Sequence, residues 1–307
     1  MTTKARFCSL VLISVLGLAV LCSPSRGSAQ EVPANALTMS LGPDLSAWPA
    51  EPPVPMSIPH IMRQHFAAAN QIASVTSSKN LIDHGGPVVS SPNIYVIYWG
   101  NPSEFPSDLE DGLNNFFEGF GNSGYSNILT QYFRGAPPPT TTLAGTASDH
   151  SEPPESAPSV KQITREACKF TGGTVDPNGI YVTVTTNFPV GAYYCAWHAF
   201  GKCNGSRIPV VYLPNADDDF GCGVSSAKQN PYSNATQAIA NDAAHELAES
   251  MTDPLINAWY DSHGNEVADK CQTSYGPTVR FSNGTIWRVQ ELWSNANGKC
   301  KQSIPLP

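Results

Sequence analysis

The sequence predicts an α/β fold: a single domain on a mixed β-sheet flanked by helices and stapled by disulfides. Three observations carry this. Apolar, β-branched or aromatic runs at Asn93–Trp99, Ile180–Thr186 and Ile208–Leu213 are bounded by Gly or Pro and have the composition of buried strands. Segments with helical spacing are interspersed with them, and strands mixed with helices specify an α/β arrangement. Six cysteines lie beyond the leader, at Cys168, Cys195, Cys203, Cys222, Cys271 and Cys300, an even number that reads as disulfides in an exported chain.

Export is read from the start of the chain. Lys4 and Arg6 precede an apolar run from Phe7 to Leu21, and Gly27-Ser28-Ala29 supplies the small residues of a cleavage site, so residues 1–29 are expected to be a signal peptide. That implies a secreted, extracellular or periplasmic protein. No later run approaches the 18 or so apolar residues of a membrane span, so no membrane association is expected after cleavage. Removing Lys4, Arg6 and Arg26 and no acid leaves 14 basic residues against 25 acidic ones, a net charge of −11. Such a balance disfavours nucleic acid and anionic membrane surfaces as partners. Residues 30–84 read as a Pro/Ala-rich linker or pro-segment with a possible helix at Gln64–Asn70, and 85–307 as the compact domain.

Within the domain the elements follow in order. After the Asn93–Trp99 strand, Ser107 offers an N-cap for a helix whose Leu109, Leu113, Phe116 and Phe117 share one face. Residues 137–158 are rich in Pro, Ser and Thr and are expected to form a surface loop. A short helix around Lys161–Cys168 precedes the two later strands. A hairpin of Val279–Phe281 and Ile286–Val289 is turned by Asn283-Gly284, a type I′ signal. Of the 15 pairings that six cysteines allow, only Cys271 with Cys300, bracketing this hairpin, is suggested by position.

The segment that carries chemistry is the helix from Ala235 to Thr252, capped by Ser233 or Asn234 and stopped before Pro254. Ile239, Ala243, Leu247 and Met251 recur every four residues as its buried stripe. His245 and Glu249, also four apart, share another face and can meet one ion. From Gln229 to Asp269 there is no Lys or Arg, yet there are seven acids: Asp242, Glu246, Glu249, Asp253, Asp261, Glu266 and Asp269. Two carboxylates 5.5 Å apart repel by roughly 3 kcal/mol at an effective dielectric near 20. Convergence of several in a cleft therefore requires protons or a cation.

His245-Glu246-Leu247-Ala248-Glu249 resembles the zincin His-Glu-x-x-His motif with a carboxylate in place of the second histidine. That resemblance implies His245 and Glu249 as ligands of a zincin-like helix and Glu246 as the catalytic base. Asn265-Glu266-Val267-Ala268-Asp269 is similar to the Asn-Glu-x-x-Asp segment of gluzincins, implying Glu266 as third ligand and Asp269 as an orienting or reserve ligand. A His/Glu/Glu set is harder than His/His/Glu. Zinc is the first expectation for the divalent metal, with manganese or calcium open.

Other residues carry less. His198, in Cys195-Ala196-Trp197-His198, is read as lying in a loop after a strand, either as a further catalytic acid or ligand or as packing beside a disulfide. Asp217-Asp218-Asp219 reads as a solvated acidic loop, and His263-Gly264 as an exposed turn. No Gly-x-Ser-x-Gly elbow is present, so serine-hydrolase chemistry has no support.

The strand Ile94-Tyr95-Val96-Ile97-Tyr98-Trp99-Gly100, the helix after it, and Ile180–Val184 followed by Cys195-Ala196-Trp197-His198 resemble the plant EXORDIUM, or phosphate-induced, family over about Gly85 to Cys300. Glu249 continuing into Thr252-Asp253-Pro254, with Gly264–Glu266, Asp269–Cys271, Val289-Gln290 and Trp293–Asn295, is similar to microbial relatives of that group. The resemblance implies an extracellular protein associated with cell-wall growth signalling, with no settled enzymatic activity. Two functions follow from the sequence. One is a secreted metal-dependent hydrolase, metallopeptidase-like, acting on a peptide, protein or cell-wall substrate. The alternative is a non-catalytic extracellular binding or signalling protein of EXORDIUM type, with a structural metal or none.

Overall fold

A computed structural model describes residues 59–63, 80–216, 222–223 and 227–307. The expected signal peptide, the possible helix at Gln64–Asn70 and the acidic run Asp217–Asp219 lie outside the described residues. The elements are β1 (His60–Arg63), β2 (Ile82–Asp83), β3 (Asn93–Trp99), α1 (Leu109–Phe120), β4 (Thr142–Asp149), α2 (Val160–Thr171), β5 (Gly179–Thr185), β6 (Tyr194–Cys203), β7 (Ser206–Leu213), α3 (Asn234–Thr252), β8 (Trp259–Tyr260), β9 (Val279–Arg280), β10 (Ile286–Trp287), β11 (Leu292–Ser294) and β12 (Lys299–Lys301).

Six strands form one mixed sheet in the order β1-β6-β7-β5-β3-β4. β7, β5, β3 and β4 run parallel, whereas β6 is antiparallel to both β7 and β1. Side chains alternate across the sheet, so its inner strands supply two cores. Val182, Val184, Val211 and Leu213 face a layer containing α1 and α3, while Tyr181, Val210, Tyr212 and Trp197 face α2. This two-sided burial explains why β5 and β7 read as continuous apolar runs rather than alternating ones.

The helices obey their local signals with one exchange. α2 carries a capping box in which the Ser159 and Gln162 side chains and backbones satisfy each other. α1 begins one residue later than its expected cap, at Asp108, whose carboxylate instead accepts hydrogen bonds from Ser233 and Thr236 at the start of α3. The acid thereby ties the N-termini of two helices together. α3 starts at Ser233 as its cap and is buried without interruption from Thr236 to Thr252. A helix enclosed on every side turns its polar residues toward neighbouring elements rather than toward solvent.

Four expectations are corrected. Residues 137–158 are not simply a surface loop: they contain β4, paired along β3 at the sheet edge. Its Thr- and Ser-rich sequence reflects an edge whose outer face meets solvent, and the prolines flank the strand. Secondly, β6 begins at Tyr194, so His198 sits within a strand rather than in a loop after one. Thirdly, the β9–β10 turn is not type I′. Asn283 stays out of the positive-φ region, Gly284 takes φ 89°, and Phe281 N–H donates to Thr285 C=O, a type I turn completed by a glycine bulge. Fourthly, ordered structure reaches upstream of Gly85, since β1 pairs with β6 and β2 with β8. The disulfides are Cys168–Cys203, Cys195–Cys222 and Cys271–Cys300.

Candidate metal centre

α3 lies against the face of the sheet to which His198 points. Trp197 and Ala199 pack toward α2, so the intervening His198 must project from the opposite face, toward Glu246 and Glu249. β1 brings His60 directly opposite His198 in the antiparallel register, with the rings 5.6 Å apart. From the other side, the segment after β8 delivers Glu266 and the 3-10 turn Asp269–Cys271. Three stretches far apart in sequence therefore converge on α3.

The loop that carries Glu266 is built by Asp261. Its carboxylate accepts from the backbone N–H groups of His263 and Asn265, from the Asn265 amide and, at 3.2 Å, from Lys270. Burial alone would raise its pKa, but these donors lower it to about 2. The folded value lies below the unfolded one near 3.9, so this stabilisation is present at neutral pH and lost as pH falls toward about 2. Asp261→Asn is expected to cost about 2 kcal/mol at pH 7, with the gap to the parent protein narrowing in denaturant melts at pH 3. An equal gap at both values would contradict the assignment. His263, in the same turn, is exposed, as the sequence suggested.

The residues singled out in sequence come together as follows. His245 Nε2 lies 3.2 Å from Glu249 Oε2 and 3.6 Å from Asp269 Oδ1. His198 Nε2 lies 3.6 Å from Glu266 Oε2, and its Nδ1 lies 3.5 Å from Glu249 Oε2. Glu246 reaches His198 Nδ1 at 3.1 Å. Two further participants carry no signal in their local sequence. His60 Nδ1 stands 3.3–3.6 Å from Asp269, Glu249 and Glu266, and Gln290 Oε1 stands 3.0 Å from His245 Nδ1.

The hydrogen bonds fix how the three imidazoles are oriented. Gln290 Nε2 donates to Ala268 C=O, which leaves its Oε1 toward His245, so His245 Nδ1 is the N–H donor there. His60 Nε2 faces the Gly264 carbonyl at 3.0 Å, an acceptor only, and so donates. His198 Nδ1 faces the Glu246 carboxylate and donates likewise. Each ring thus keeps its outer proton, and the remaining nitrogens, His60 Nδ1, His198 Nε2 and His245 Nε2, are buried with no hydrogen-bond partner. Glu249 Oε2 and Glu266 Oε2 are buried and without such a partner as well. Glu249 Oε1, by contrast, accepts from the N–H groups of Ala268 and Asp269.

The inner spacings identify what this arrangement can hold. Separations of 3.2–3.6 Å between nitrogen and oxygen lie at or beyond the long end of the usual N–H···O range. They match the roughly 3.3 Å edge of a tetrahedron of ligands about 2.0–2.1 Å from a shared ion. Outer nitrogens anchored on a carboxylate, an amide oxygen and a carbonyl are the orienting contacts that metal-ligating histidines ordinarily have.

Without a cation, protons settle the charge. Burial disfavours a charged ring at His60, but Asp269 and Glu249 overcome it and push its pKa up to about 10. His245 is raised well above the usual range against the same burial effect, chiefly by Glu249. Burial pushes Glu246 and Glu266 well up, whereas at Glu249 His245 and His60 outweigh burial and hold the carboxyl well down. Burial lowers His198 to about 3. A divalent cation and these protons are alternative occupants of one set of lone pairs.

No family model matches the chain, and no solved structure matches it. Among curated proteins it is similar to Protein EXORDIUM-like 5 of Arabidopsis thaliana, 27% identical over 255 aligned residues that cover 66% of this chain and 69% of that one.

Proposed function

We propose that this chain is a secreted, metal-binding protein related to the EXORDIUM-like proteins, whose buried histidine–carboxylate centre holds zinc in a structural, non-hydrolytic role. The observation that carries the reading is the set of three imidazoles, each anchored through its outer nitrogen and presenting an unpartnered inner nitrogen to one or more of the Glu249, Glu266 and Asp269 carboxylates. Three nitrogen donors argue against calcium, which takes oxygen ligands, and leave zinc or manganese. The similarity to EXORDIUM-like 5, the disulfides and the absence of any membrane-spanning helix among the described residues are consistent with an extracellular protein.

Enclosure supports the non-hydrolytic role. His198, His245, Glu246, Glu249 and Glu266 are at most 1% exposed, and only His60 and Asp269 reach the surface. The inner lone pairs of His60, His198 and His245 are themselves buried. Glu246, which the zincin resemblance casts as the base, is held against His198.

The test is calorimetric titration of zinc and manganese into chelator-treated mature protein, with casein and peptide libraries as activity controls. Zinc is expected to bind with roughly 10 kcal/mol or more, as structural zinc does, and no turnover is expected. Absence of binding by either metal overturns the proposal. One observation favours a second reading, a metal-dependent hydrolase: Glu246 Oε1 is buried with no partner, as a base awaiting a water would be. Turnover that Glu246→Gln abolishes would select that reading.

A further inference from the structure

We infer that the centre holds two divalent cations that share Glu249, an inference that rests on the metal-binding reading above. The donor atoms fall into two sets, each within 4.8 Å: His60, His198, Glu249 and Glu266 in one, and His245, Glu249 and Asp269 in the other. Glu249 belongs to both. Its Oε1 is occupied by two backbone N–H groups, so a single atom, Oε2, faces the inner nitrogens His60 Nδ1 and His245 Nε2 at 3.5 and 3.2 Å and lies 3.5 Å from the outer His198 Nδ1. A carboxylate with one oxygen fixed by the backbone and the other set among three imidazoles is placed to bridge.

Two ions, rather than one, also match the charge of the carboxylates that pair with the three histidines. Glu246, Glu249, Glu266 and Asp269 carry four negative charges when ionised, and each ion-pairs with histidine. Their histidines bind a metal only as neutral rings. One divalent cation would leave a net charge of −2 in an almost fully enclosed centre, whereas two bring it to zero. Nor is this merely an acidic cluster: His198 Nε2 and His245 Nε2, both on fully buried side chains, point into the two sets with no other partner.

Metal analysis by inductively coupled plasma spectrometry, after equilibration with zinc and removal of free ion, reads the stoichiometry. The expected result is two zinc ions per chain. His60→Ala tests the separation of the two sets at the least buried ligand, where folding is least at risk. It should weaken one ion at least tenfold and leave the other, held by His245, Glu249 and Asp269, unchanged. Manganese provides an independent signature, because two manganese ions sharing Glu249 Oε2 give an exchange-coupled paramagnetic resonance spectrum. One zinc per chain with the six-line spectrum of isolated manganese overturns the shared centre but leaves the metal-binding reading standing. No bound metal removes both. Equal weakening of two ions by His60→Ala also overturns the inference, since the sets would not then be distinct.

Discussion

Glu249→Gln is expected to abolish metal binding and, with it, the stabilisation that metal confers. Glutamine preserves the shape of the side chain, and its amide oxygen can still accept the Ala268 and Asp269 N–H groups that hold the loop. Its NH2 group would face the His60 and His245 lone pairs as a hydrogen-bond donor where the parent presents an anionic oxygen. Folding should therefore survive while ligation does not. A ligand at about 1,000 times its dissociation constant stabilises by about 4 kcal/mol. For a protein of this size that corresponds to roughly 8–16 °C in Tm. Calorimetric scans with and without EDTA provide the measurement: the parent should lose that increment on chelation and Glu249→Gln should be unaffected. The same EDTA-induced drop in both proteins would show that any metal lies elsewhere.

Removal of the Cys271–Cys300 disulfide, as Cys271→Ser with Cys300→Ser, is expected to cost about 2–5 kcal/mol and to weaken metal binding as well. The bond closes a loop over a sequence separation of 29 and ends the turn that carries Asp269. The same turn supplies both N–H groups that fix Glu249 Oε1, and Trp293 N–H donates to Val267 C=O just before it. Loss of the staple thus loosens ligands as well as the chain. The Cys168–Cys203 bond joins α2 to the far end of β6 on the other side of the sheet. Its removal should lower stability while leaving metal affinity unchanged. Denaturant melts combined with zinc titration of both double variants distinguish the two roles, and equal effects on affinity would contradict this division.

Much of the fold was legible because its elements carry strong local signals. α3 has a capping serine, twenty residues without Gly or Pro after it, and a proline stop. β3, β5 and β7 are apolar runs because they are buried on both faces. β4 was obscured by its position at an exposed edge, which demands no apolar pattern, and by the prolines that bracket it. β1 is four residues long and preceded by a proline-rich stretch, so composition pointed to a linker. Its pairing is decided by register with β6, which no local period encodes.

The centre divides along the same line. His245, Glu246 and Glu249 were visible as a helical spacing, and Glu266 and Asp269 as acids in a segment empty of basic residues. His198 was visible by type but misplaced in a loop, since the glycine and small residues of β6 conceal a strand. His60 and Gln290 enter only through tertiary placement, 138 and 45 residues from their partners His198 and His245. They nonetheless matter most to the chemistry, because Gln290 sets the His245 tautomer and His60 closes the centre.

Anomalous diffraction from crystals of the zinc-equilibrated protein, recorded on either side of the zinc absorption edge, tests the central claim most directly. The account predicts strong anomalous density enclosed by His60, His198, His245, Glu249, Glu266 and Asp269, in two peaks that meet at Glu249. Crystals with no anomalous density in this enclosure, and with the histidines hydrogen-bonded to the carboxylates as protonated rings, would contradict it.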